Sequence, residues 1–587
     1  MTERLIAGID VGGTYTDAVL LERTDAENAR VLSFSKKPTG TGDPGGAIVA
    51  AFEALFDGAR DRAPSGLERV VVSTTVCTNA VAAGRFEPVG LAIMPGPGLS
   101  PEDLRRMAGI DGKIFGFAEL RGYVDHRGRE VEPVDPAEVE TSLRDLRSAG
   151  FENLAVAGKF GVRNPDPELR IAAAARSMGG FKHITLGHTL SGALNFPRRV
   201  ATACLNSAVA STFNDFVSAL ERAFAGRGVS CPVMLLKADG GTMDVKTARS
   251  MPVRSILSGP AASINGSLAL APVQGSGVTI DIGGTTTDVS FFVEGAPLFE
   301  ASGAEIAGRK TLVRAMYSRS LALGGDTPVS AVPARGDAGA RDPVLIGGWR
   351  KGAAAAFGGP AATLTDALVV AGLADAGDPS RSRLAIGREA RRSGMDDAGF
   401  ANRAVEQAVD MIARFVRRLL DELRKSPAYT VREAVNPMAL KPETVVGIGA
   451  PAASVIPLVA SRLGAAPVVP GLAAVGNAVG AALAAPTVEA TLRIDTALGF
   501  ATVAEDGFRE ETGDALIRER DAAEMATRCV LRRAPWAGEG DVEMVEMESY
   551  NVIRDFHTAG RIFDVKAQVR PRRLRLCGEG EVAGRRV

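Results

Sequence analysis

Two segments of the chain, 271 positions apart, carry the same polar residues in the same order. The first reads IAGIDVGGTYTDAVLL (Ile6 to Leu21), and the second reads VTIDIGGTTTDVSFF (Val278 to Phe292). When Asp10 is placed on Asp281, six of eight consecutive positions are identical. Such agreement at a domain-length separation indicates an internal duplication.

Each copy predicts a β-hairpin whose turn is open to a ligand. An apolar run on either side of a glycine pair is typical of two antiparallel strands joined by a tight turn. Glycines let backbone amides approach phosphate oxygens, and threonine hydroxyls add further donors. The alternative is a pair of purely structural turns. We expect the two turns to bind one polyphosphate through Gly12, Gly13, Thr14, Thr16, Gly283, Gly284, Thr285, Thr286 and Thr287.

An aspartate lies near the end of the first strand in each predicted hairpin. Asp10 and Asp281 would face one another across a cleft, and two carboxylates of this kind suit Mg²⁺. Magnesium keeps much of its hydration shell, so we expect the contact to run through water. The two aspartates are therefore candidate metal ligands and candidate catalytic residues.

The composition limits the classes of function. The chain has 587 residues, a hydrophobic fraction of 46% and a formal net charge of −1, so it lacks the basic field that would attract a nucleic acid or an anionic membrane. Its five cysteines form no C-x-x-C pair, which argues against a disulfide framework and a thiolate zinc site. Glu3, Arg4 and Asp10 interrupt the first apolar run, so no signal peptide is expected. We expect a cytoplasmic protein whose partners are small molecules or other proteins.

The elements that must position these residues alternate between strand and helix. Short β-branched runs are followed by amphipathic stretches, which is typical of an α/β fold. The clearest predicted helix has Asp135 as its N-cap, Pro136 at its first position and Gly150 as its terminator. The uncharged stretch 463–486 is interrupted by prolines and glycines, so it predicts a short strand and a small-residue helix instead of a membrane span.

The paired hairpins resemble the two phosphate loops of the actin, sugar-kinase and heat-shock-chaperone ATPase fold. More narrowly, the chain is similar to the hydantoinase A/oxoprolinase family over roughly residues 5–485. Beyond the two hairpins, three motifs carry this resemblance. They are STTVCTNAVAAG (Ser73 to Gly84), DGGTMDVKTARSMPVRSILSGPAA (Asp239 to Ala262) and TLTDALVVAG (Thr363 to Gly372).

The resemblance implies an α/β fold of duplicated actin-like, ribonuclease-H-like ATPase domains that flank a nucleotide cleft. The first domain, residues 1–185, would hold the first phosphate hairpin. The second, residues 186–490, would hold the second hairpin and the loop that contacts adenosine. A charged, strand-rich module would follow at residues 491–587.

Further site residues follow from the family motifs. The segment VVGIGAPAAS would be the adenosine loop, with Gly447, Gly449 and Ala450 under the nucleotide, or else a plain buried strand and turn. The glycine-rich segment 316–330 supplies Gly325, but it lacks the histidine that precedes it in the family. Candidates for the substrate are Thr74, Thr75 and Asn79, for which strand-end and helix-cap bonding is an equal alternative. Candidates for the group that guides the substrate are Asp239 and Asp326.

The activity implied by the resemblance is ATP-dependent activation of a carbonyl group, with ATP and Mg²⁺ as cofactors. The substrate would be a hydantoin, 5-oxoproline or a lactam, opened together with a hydantoinase B-like subunit in a hetero-oligomer. Three alternatives stay open: an ATPase that reactivates or loads a partner enzyme, a subunit of an ATP-dependent ketone carboxylase, and a small-molecule kinase.

Overall fold

Two mixed β-sheets with the same arrangement of strands form the centre of the fold. In each sheet an antiparallel hairpin is extended by parallel strands on one side. The computed structural model describes residues 4–39, 44–110, 114–332, 342–425, 441–513, 516–554, 556–571, 574–577, 581–582 and 585–586.

The first sheet begins with the first predicted hairpin. Strand β1 is buried along its whole length, which explains its nearly continuous apolar sequence. It pairs antiparallel with β2 and parallel with β4. The elements here are β1 (Leu5–Val11), β2 (Tyr15–Arg23), β3 (Asn28–Pro38), α1 (Pro44–Gly58), β4 (Leu67–Thr74) and α2 (Val76–Ala82).

A second unit is inserted after α2. Four parallel strands in the order β10-β9-β5-β6 form its sheet. The predicted helix α4 begins as expected, because the Asp135 side chain accepts the Ala137 N–H. The elements are β5 (Val89–Met94), α3 (Pro101–Ala108), β6 (Phe115–Glu119), β7 (Tyr123–Val124), β8 (Glu130–Glu132), α4 (Pro136–Ser148), β9 (Asn153–Gly158), α5 (Asp166–Met178), β10 (His183–Leu186) and α6 (Gly187–Leu190).

The chain then returns to the first sheet. Strand β11 pairs parallel with β4, so this sheet continues past residue 185, where the sequence suggested a domain boundary. The elements are α7 (Phe196–Ala208), α8 (Ala210–Ala225), β11 (Val233–Leu236), β12 (Thr242–Asp244), α9 (Val245–Ser250) and α10 (Ser258–Leu270).

The second sheet repeats the first. Strand β13 has the same length as β1, pairs antiparallel with β14 and lies parallel to β21. The strands are β13 (Ser276–Ile282), β14 (Thr287–Val293), β15 (Ala296–Pro297), β16 (Glu305–Ile306), β17 (Arg309–Lys310), β18 (Ser318–Leu321), β19 (Val329–Ala331), β20 (Val344–Ile346), β21 (Thr444–Ile448) and β22 (Ala466–Val468). The helices are α11 (Leu364–Val370), α12 (Pro379–Ser393), α13 (Asp397–Arg424), α14 (Ala452–Leu463) and α15 (Gly476–Leu483).

Helices α10 and α15 join the two halves by close backbone contact. A Cβ on Gly266 would lie 2.0 Å from the Gly476 carbonyl oxygen, and one on Gly480 would lie 1.9 Å from the Ala262 oxygen. On its other side α15 packs on β1, where a Cβ on Gly8 would lie 2.3 Å from the Ala478 oxygen. The small residues of the predicted helix are therefore required by packing, and α15 of the second half lies against the sheet of the first.

The C-terminal unit is a five-stranded antiparallel sheet in the order β25-β24-β23-β27-β26, covered by α16. None of the helices in the described ranges is long and apolar enough to cross a membrane. The elements are β23 (Glu489–Asp495), β24 (Phe500–Val503), β25 (Phe508–Glu511), α16 (Glu519–Arg533), β26 (Val542–Arg554) and β27 (His557–Val569). After this unit, β28 (Arg575–Leu576) pairs parallel with β3 of the first sheet, and β29 (Glu581–Val582) pairs with β30 (Arg585–Arg586).

Candidate functional site

The two hairpin turns have the same hydrogen-bond geometry. The Gly12 N–H donates to the Tyr15 oxygen at 3.0 Å, and the Gly283 N–H donates to the Thr286 oxygen at 2.9 Å. The strand register pairs Asp10 with Asp17 in the first hairpin and Asp281 with Asp288 in the second. Opposite residues in an antiparallel pair project to the same face of the sheet. Each hairpin therefore presents two neighbouring carboxyl groups.

The fold brings the two turns into one cluster. A Cβ on Gly284 would lie 3.8 Å from Thr14 Oγ1 and 2.7 Å from a carboxylate oxygen of Asp326. Arg350 links both sides, because its Nη2 lies 3.5 Å from Thr14 Oγ1 and donates to the Asp326 carboxylate. Sequence reasoning missed Arg350, which belongs to no motif of its own.

Asp10 is buried beside like charges. Asp10 is only 6% exposed, and its Oδ1 has no hydrogen-bond partner among the described residues. Burial, followed by the charges of Asp17 and Asp281, raises the pKa of Asp10 to about 7, against the opposing effect of the nearby Ser73 and Asn477 side chains. An orphaned carboxylate oxygen in such a place is suited to a cation or an ordered water.

Asp281 faces the same region from the second half. Its Oδ2 accepts a hydrogen bond from Asn477 Nδ2 at 3.1 Å, and burial raises its pKa. Asn477 lies in the first turn of α15, so the packing of that helix on β1 places one amide beside both aspartates. The sequence stretch that predicted α15 gave no sign of this role.

These residues fit a hydrated divalent cation. Two carboxyl groups and one amide converge, and the unpaired Oδ1 of Asp10 provides a free acceptor. The described residues contain no group of three or more histidine, cysteine, aspartate or glutamate side chains that could hold a metal ion directly. Since magnesium is commonly held by one or two carboxylates and several waters, Asp10 and Asp281 could hold Mg²⁺ in this way.

The hairpin threonines divide into two groups. Thr16 and Thr287 are buried, and their hydroxyls bond to Thr39 Oγ1 at 2.9 Å and to the Leu323 oxygen at 2.6 Å. Both were expected to bind phosphate, but they lie in strands where alternation turns their side chains inward. The turn residues of this type that remain partly or fully exposed are Thr14, Thr285 and Thr286.

The glycine-rich segment 324–326 runs along the second hairpin. The Gly325 N–H donates to the Gly283 oxygen at 2.9 Å, and the Asp326 N–H donates to the Gly284 oxygen at 2.7 Å. A Cβ on Gly324 would lie only 2.6 Å from the Gly284 carbonyl carbon. The glycine therefore permits a backbone approach that fixes the Asp326 carboxylate at the turn.

The three residues expected under adenosine are in different environments. Gly449 follows β21 with a φ of +92°, and a Cβ there would lie 3.0 Å from Asp281 Oδ1. Ala450 is exposed beside it. Gly447 is buried within β21, and a Cβ there would lie 2.1 Å from Ile456 Cγ1. Packing of α14 explains the glycine at 447, while positions 449 and 450 line the strand end next to the cleft.

The residues expected to contact substrate are engaged in local structure. Thr74 Oγ1 accepts the Val76 N–H, Thr75 Oγ1 donates to the Val11 oxygen at 3.1 Å, and Asn79 Nδ2 donates to Thr75 Oγ1 at 3.1 Å. These are local bonds at the strand end, as in the alternative interpretation, although the N-cap residue Thr75 makes no side-chain cap bond to α2. They fix α2 against the end of β1, next to Asp10.

Asp239 lies at the carboxyl ends of the strands of the same sheet, but its carboxylate is bonded to other residues. Its Oδ2 accepts from Lys237 Nζ at 2.9 Å, and its Oδ1 accepts from the Gly241 N–H at 2.9 Å. Both charged residues are buried, with exposures of 7% for Asp239 and 5% for Lys237. The ion pair borders a separate cavity beyond the hairpin cluster.

The chain is similar in sequence to subunits of two known enzymes. The chain is 25% identical over 303 residues to the caprolactamase subunit alpha of Pseudomonas jessenii, covering 48% of this chain and 42% of that one. It is 28% identical over 316 residues to the acetophenone carboxylase gamma subunit of Aromatoleum aromaticum, covering 49% and 42%. These matches span less than half the length of the curated relatives.

Two solved structures share the fold over nearly the whole chain. The nucleotide-free acetone carboxylase structure superposes with a TM-score of 0.67 at 18% identity, covering 96% of this chain and 87% of that one. The ATP-dependent caprolactamase of Pseudomonas jessenii gives 0.67 at 18% identity, covering 97% and 88%. The expected α/β fold class is thereby confirmed, and the two repeated sheets of this chain show the expected duplication.

The family assignment rests on both halves of the chain. Residues 6–179 match the hydantoinase/oxoprolinase N-terminal region, and residues 199–490 match the main hydantoinase/oxoprolinase domain. Together the two matches cover most of the chain and include both hairpins. The protein belongs to the hydantoinase/oxoprolinase family.

Proposed function

We propose that the chain binds Mg·ATP between its two hairpins and transfers the γ-phosphoryl group to the oxygen of a carbonyl compound. The preferred substrate class is a cyclic amide, such as a hydantoin, 5-oxoproline or a lactam. The observation that supports this most is the junction of the two turns, where the unpaired Asp10 Oδ1 lies close enough to Asp281 for their charges to interact.

The chain supplies positioning and charge compensation. Gly13 and Gly284 offer backbone amides at the turns, because the Gly12 and Gly283 N–H groups are already used to close them, and Arg350 offers a guanidinium between the two turns. Mg²⁺ held by Asp10 and Asp281 would neutralise charge on the phosphate oxygens. Phosphoryl transfer depends chiefly on such positioning and electrostatic stabilisation.

The chemistry explains why ATP is needed. A ring amide is a poor electrophile, because resonance delocalises the nitrogen lone pair into the carbonyl. Transfer of the γ-phosphoryl group breaks its bond to ADP and forms a bond to the amide oxygen, and the amide N–H proton is lost as an imidate phosphate forms. Water then adds to the carbon, and cleavage of the C–N bond, with the nitrogen taking up a proton, opens the ring and leaves an acyl phosphate. A second water hydrolyses the acyl phosphate, so that the products are the ring-opened acid, ADP and phosphate.

Ring opening would require a second subunit, for which a hydantoinase B-like chain is the candidate. The described residues hold no cluster suited to a hydrolytic metal centre. The relatives are named as subunit alpha and gamma subunit, and the matched region spans only 42% of each. Alone, the chain should hydrolyse ATP slowly or futilely.

A second candidate function is activation of a ketone for carboxylation. It is favoured by the similarity to an acetophenone carboxylase subunit and by the fold shared with acetone carboxylase. The same cleft would then phosphorylate an enolate oxygen instead of an amide oxygen. ATP-driven reactivation of a partner enzyme and small-molecule phosphorylation are the further alternatives.

ADP release measured across hydantoins, 5-oxoproline, lactams and ketones separates these functions. The assay is run with and without a hydantoinase B-like subunit, with Asp10→Asn as the inactive control. Substrate-dependent ADP release supports carbonyl activation, and product analysis distinguishes ring opening from carboxylation. Calorimetry that shows no ATP binding in the presence of Mg²⁺ would overturn the proposal.

A further inference from the structure

Two adjoining cavities lie away from the hairpin cluster. The outer one, of about 410 Å³, lies between the loop at 191–195, the segment 300–314 and the C-terminal sheet. The inner one is small, at about 20 Å³, and is bordered by Lys237, Asp239 and Glu489. Leu312 and Arg314 line both cavities, so the two meet at these side chains.

The inner cavity is surrounded by buried charge with an excess of cations. Lys237 pairs with Asp239 at 2.9 Å, while Glu489 pairs with both Arg254 at 3.0 Å and Lys566 at 3.1 Å. Burial alone would raise the pKa of Glu489, but Lys566, Arg254 and Lys237 hold it well below its usual range. Three cations therefore surround two carboxylates before Arg314 is considered.

Arg314 has no carboxylate partner among the described residues. Its guanidinium lies 4.6 Å from the centroid of the Phe299 ring, and its Nε is buried without a hydrogen bond. A buried guanidinium donor left unpaired is costly, which suggests that an acceptor is supplied by a ligand. Arg314 thus places a free donor at the boundary between the cavities.

In the outer cavity, the carboxylates of the C-terminal sheet are either paired with arginines or exposed to solvent. Asp564 is bonded by Arg163 and Arg493 at 2.9–3.3 Å. Glu546 and Glu548 line the same cavity from an exposed strand, so they stand in contact with solvent. The unpaired cation is therefore at the inner boundary and the solvated acids are on the C-terminal sheet.

The inner cavity lies at the carboxyl ends of the strands of the first sheet, as Asp10 does. Strands β11, β4 and β1 are adjacent and parallel, with Ser73 beside Asp10 and Leu235 beside Val72. Lys237 follows β11 directly, so its backbone is about 10 Å from β1, which is two strand spacings. Open α/β sheets bind their ligands at this carboxyl edge. The cavity is thus on the nucleotide side of the sheet.

We infer that the joined cavities bind a small carbonyl compound that carries a carboxylate, and that Arg314 receives the carboxylate. Guanidinium and carboxylate groups match in charge and in planar geometry. An uncharged lactam or ketone would leave Arg314 unpaired, so the site favours the acid over its neutral analogue. The inference rests on the proposed function for the reaction that the bound compound undergoes, whereas binding itself needs no nucleotide.

Calorimetry on the full nucleotide-free chain tests this inference with two matched pairs of probes. They are 5-oxoproline against pyrrolidin-2-one, and hydantoin-5-acetate against hydantoin. We expect the acid of at least one pair to bind about tenfold or more tightly than its neutral analogue, as a charge-assisted hydrogen bond contributes on that scale. Arg314→Met should abolish this preference, while Arg314→Lys should keep part of it.

Arg105→Met is the matched control. Arg105 lies 4.3 Å from the centroid of the Phe117 ring, as Arg314 lies against Phe299, but it lines neither cavity. Its removal should change the acid's affinity less than threefold, and melting temperatures confirm that each variant folds. Equal binding of acid and neutral probe, no binding of either acid, or an unchanged preference in Arg314→Met would overturn the inference. Failure of ATP to bind while the acids still bind would contradict only the proposed function.

Discussion

The two hairpins share a backbone but differ in how the charge on their second strand is compensated. In the first, the register places Lys36 opposite Asp17, and Lys36 Nζ bonds both carboxylate oxygens at 2.7 and 2.8 Å. In the second, the equivalent register places Ser320 opposite Asp288, where its hydroxyl donates to the carboxylate. The duplication has therefore kept the geometry of the turns while changing the electrostatics behind them.

This difference changes what opposes the rise in the pKa of the second-strand aspartate in each hairpin. Burial raises the pKa of Asp17, and Lys36 opposes that rise. Burial and then Asp281 raise the pKa of Asp288 to about 7, opposed only by the Ser320 hydroxyl. Lys36 also donates to the Ala474 oxygen just before α15, so the first hairpin is tied electrostatically to the second half of the molecule. The first-strand aspartates, Asp10 and Asp281, occupy equivalent positions in the two hairpins.

The largest effect should come from the equivalent pair. Asp10→Asn and Asp281→Asn should each reduce substrate-dependent ADP release by about 100-fold or more, because each removes a charge from one shared cation site. The double variant should be little worse than either single variant, since residues that act as one unit are non-additive. Losses that multiply, or near-wild-type turnover in either single variant, would show that the hairpins do not share one nucleotide.

Arg350 should have the next largest effect, because it alone of the described side chains bonds to Thr14 and Asp326 together. Arg350→Met should lower turnover by roughly 10- to 100-fold, as expected when one donor to a transferring group is removed. It should weaken ATP binding more than ADP binding, measured by calorimetry. Arg350→Lys should recover part of the loss, and equal weakening of both nucleotides would contradict a contact with the γ-phosphate.

The Lys36–Asp17 pair should contribute to stability. Lys36→Met leaves Asp17 without its cation and should destabilise the fold by about 1–2 kcal/mol, less than a fully buried pair because the Lys36 side chain is 32% exposed. Adding Asp17→Asn should restore part of that stability, as read from denaturant unfolding. Ser320→Lys places the same pair in the second hairpin, and we expect it to raise stability at pH 8. If Ser320→Lys leaves the stability at pH 8 unchanged, a lysine opposite the second-strand aspartate does not have the same effect in the two hairpins.

The last prediction concerns how the contribution of Asp288 to stability depends on pH. Its folded pKa, about 7, is raised above the ordinary 3.8, so the folded chain holds a proton that the unfolded chain releases. Stability from this group is full below pH 3.8 and is lost as pH rises toward 7. Asp288→Asn should therefore raise the melting temperature relative to wild type at pH 8, and this advantage should shrink toward pH 5. An advantage independent of pH would exclude titration of Asp288 as its cause.

The local part of the site could be predicted from the sequence. The hairpins depend on apolar runs on either side of a glycine pair within sixteen positions, and their repetition identified the duplication and placed Asp10 and Asp281 at equivalent strand ends. Strand alternation could also have separated inward Thr16 from Thr14 at the turn, although the motif alone suggested one role for both. These features follow from short-range geometry that a sequence displays directly.

Only the tertiary structure decided which distant side chains complete the site. Asn477 reaches Asp281 because Gly266 and Gly480 allow α10 and α15 into backbone contact. Arg350 reaches Thr14 across 336 positions, and it does so from a loop without a motif. Such contacts are set by the packing of helices and loops after the sheets have formed, and the residue type at one position carries no record of its partner. The sequence therefore determined the two hairpins and their repeated aspartates, whereas folding determined the cations and amides that surround them.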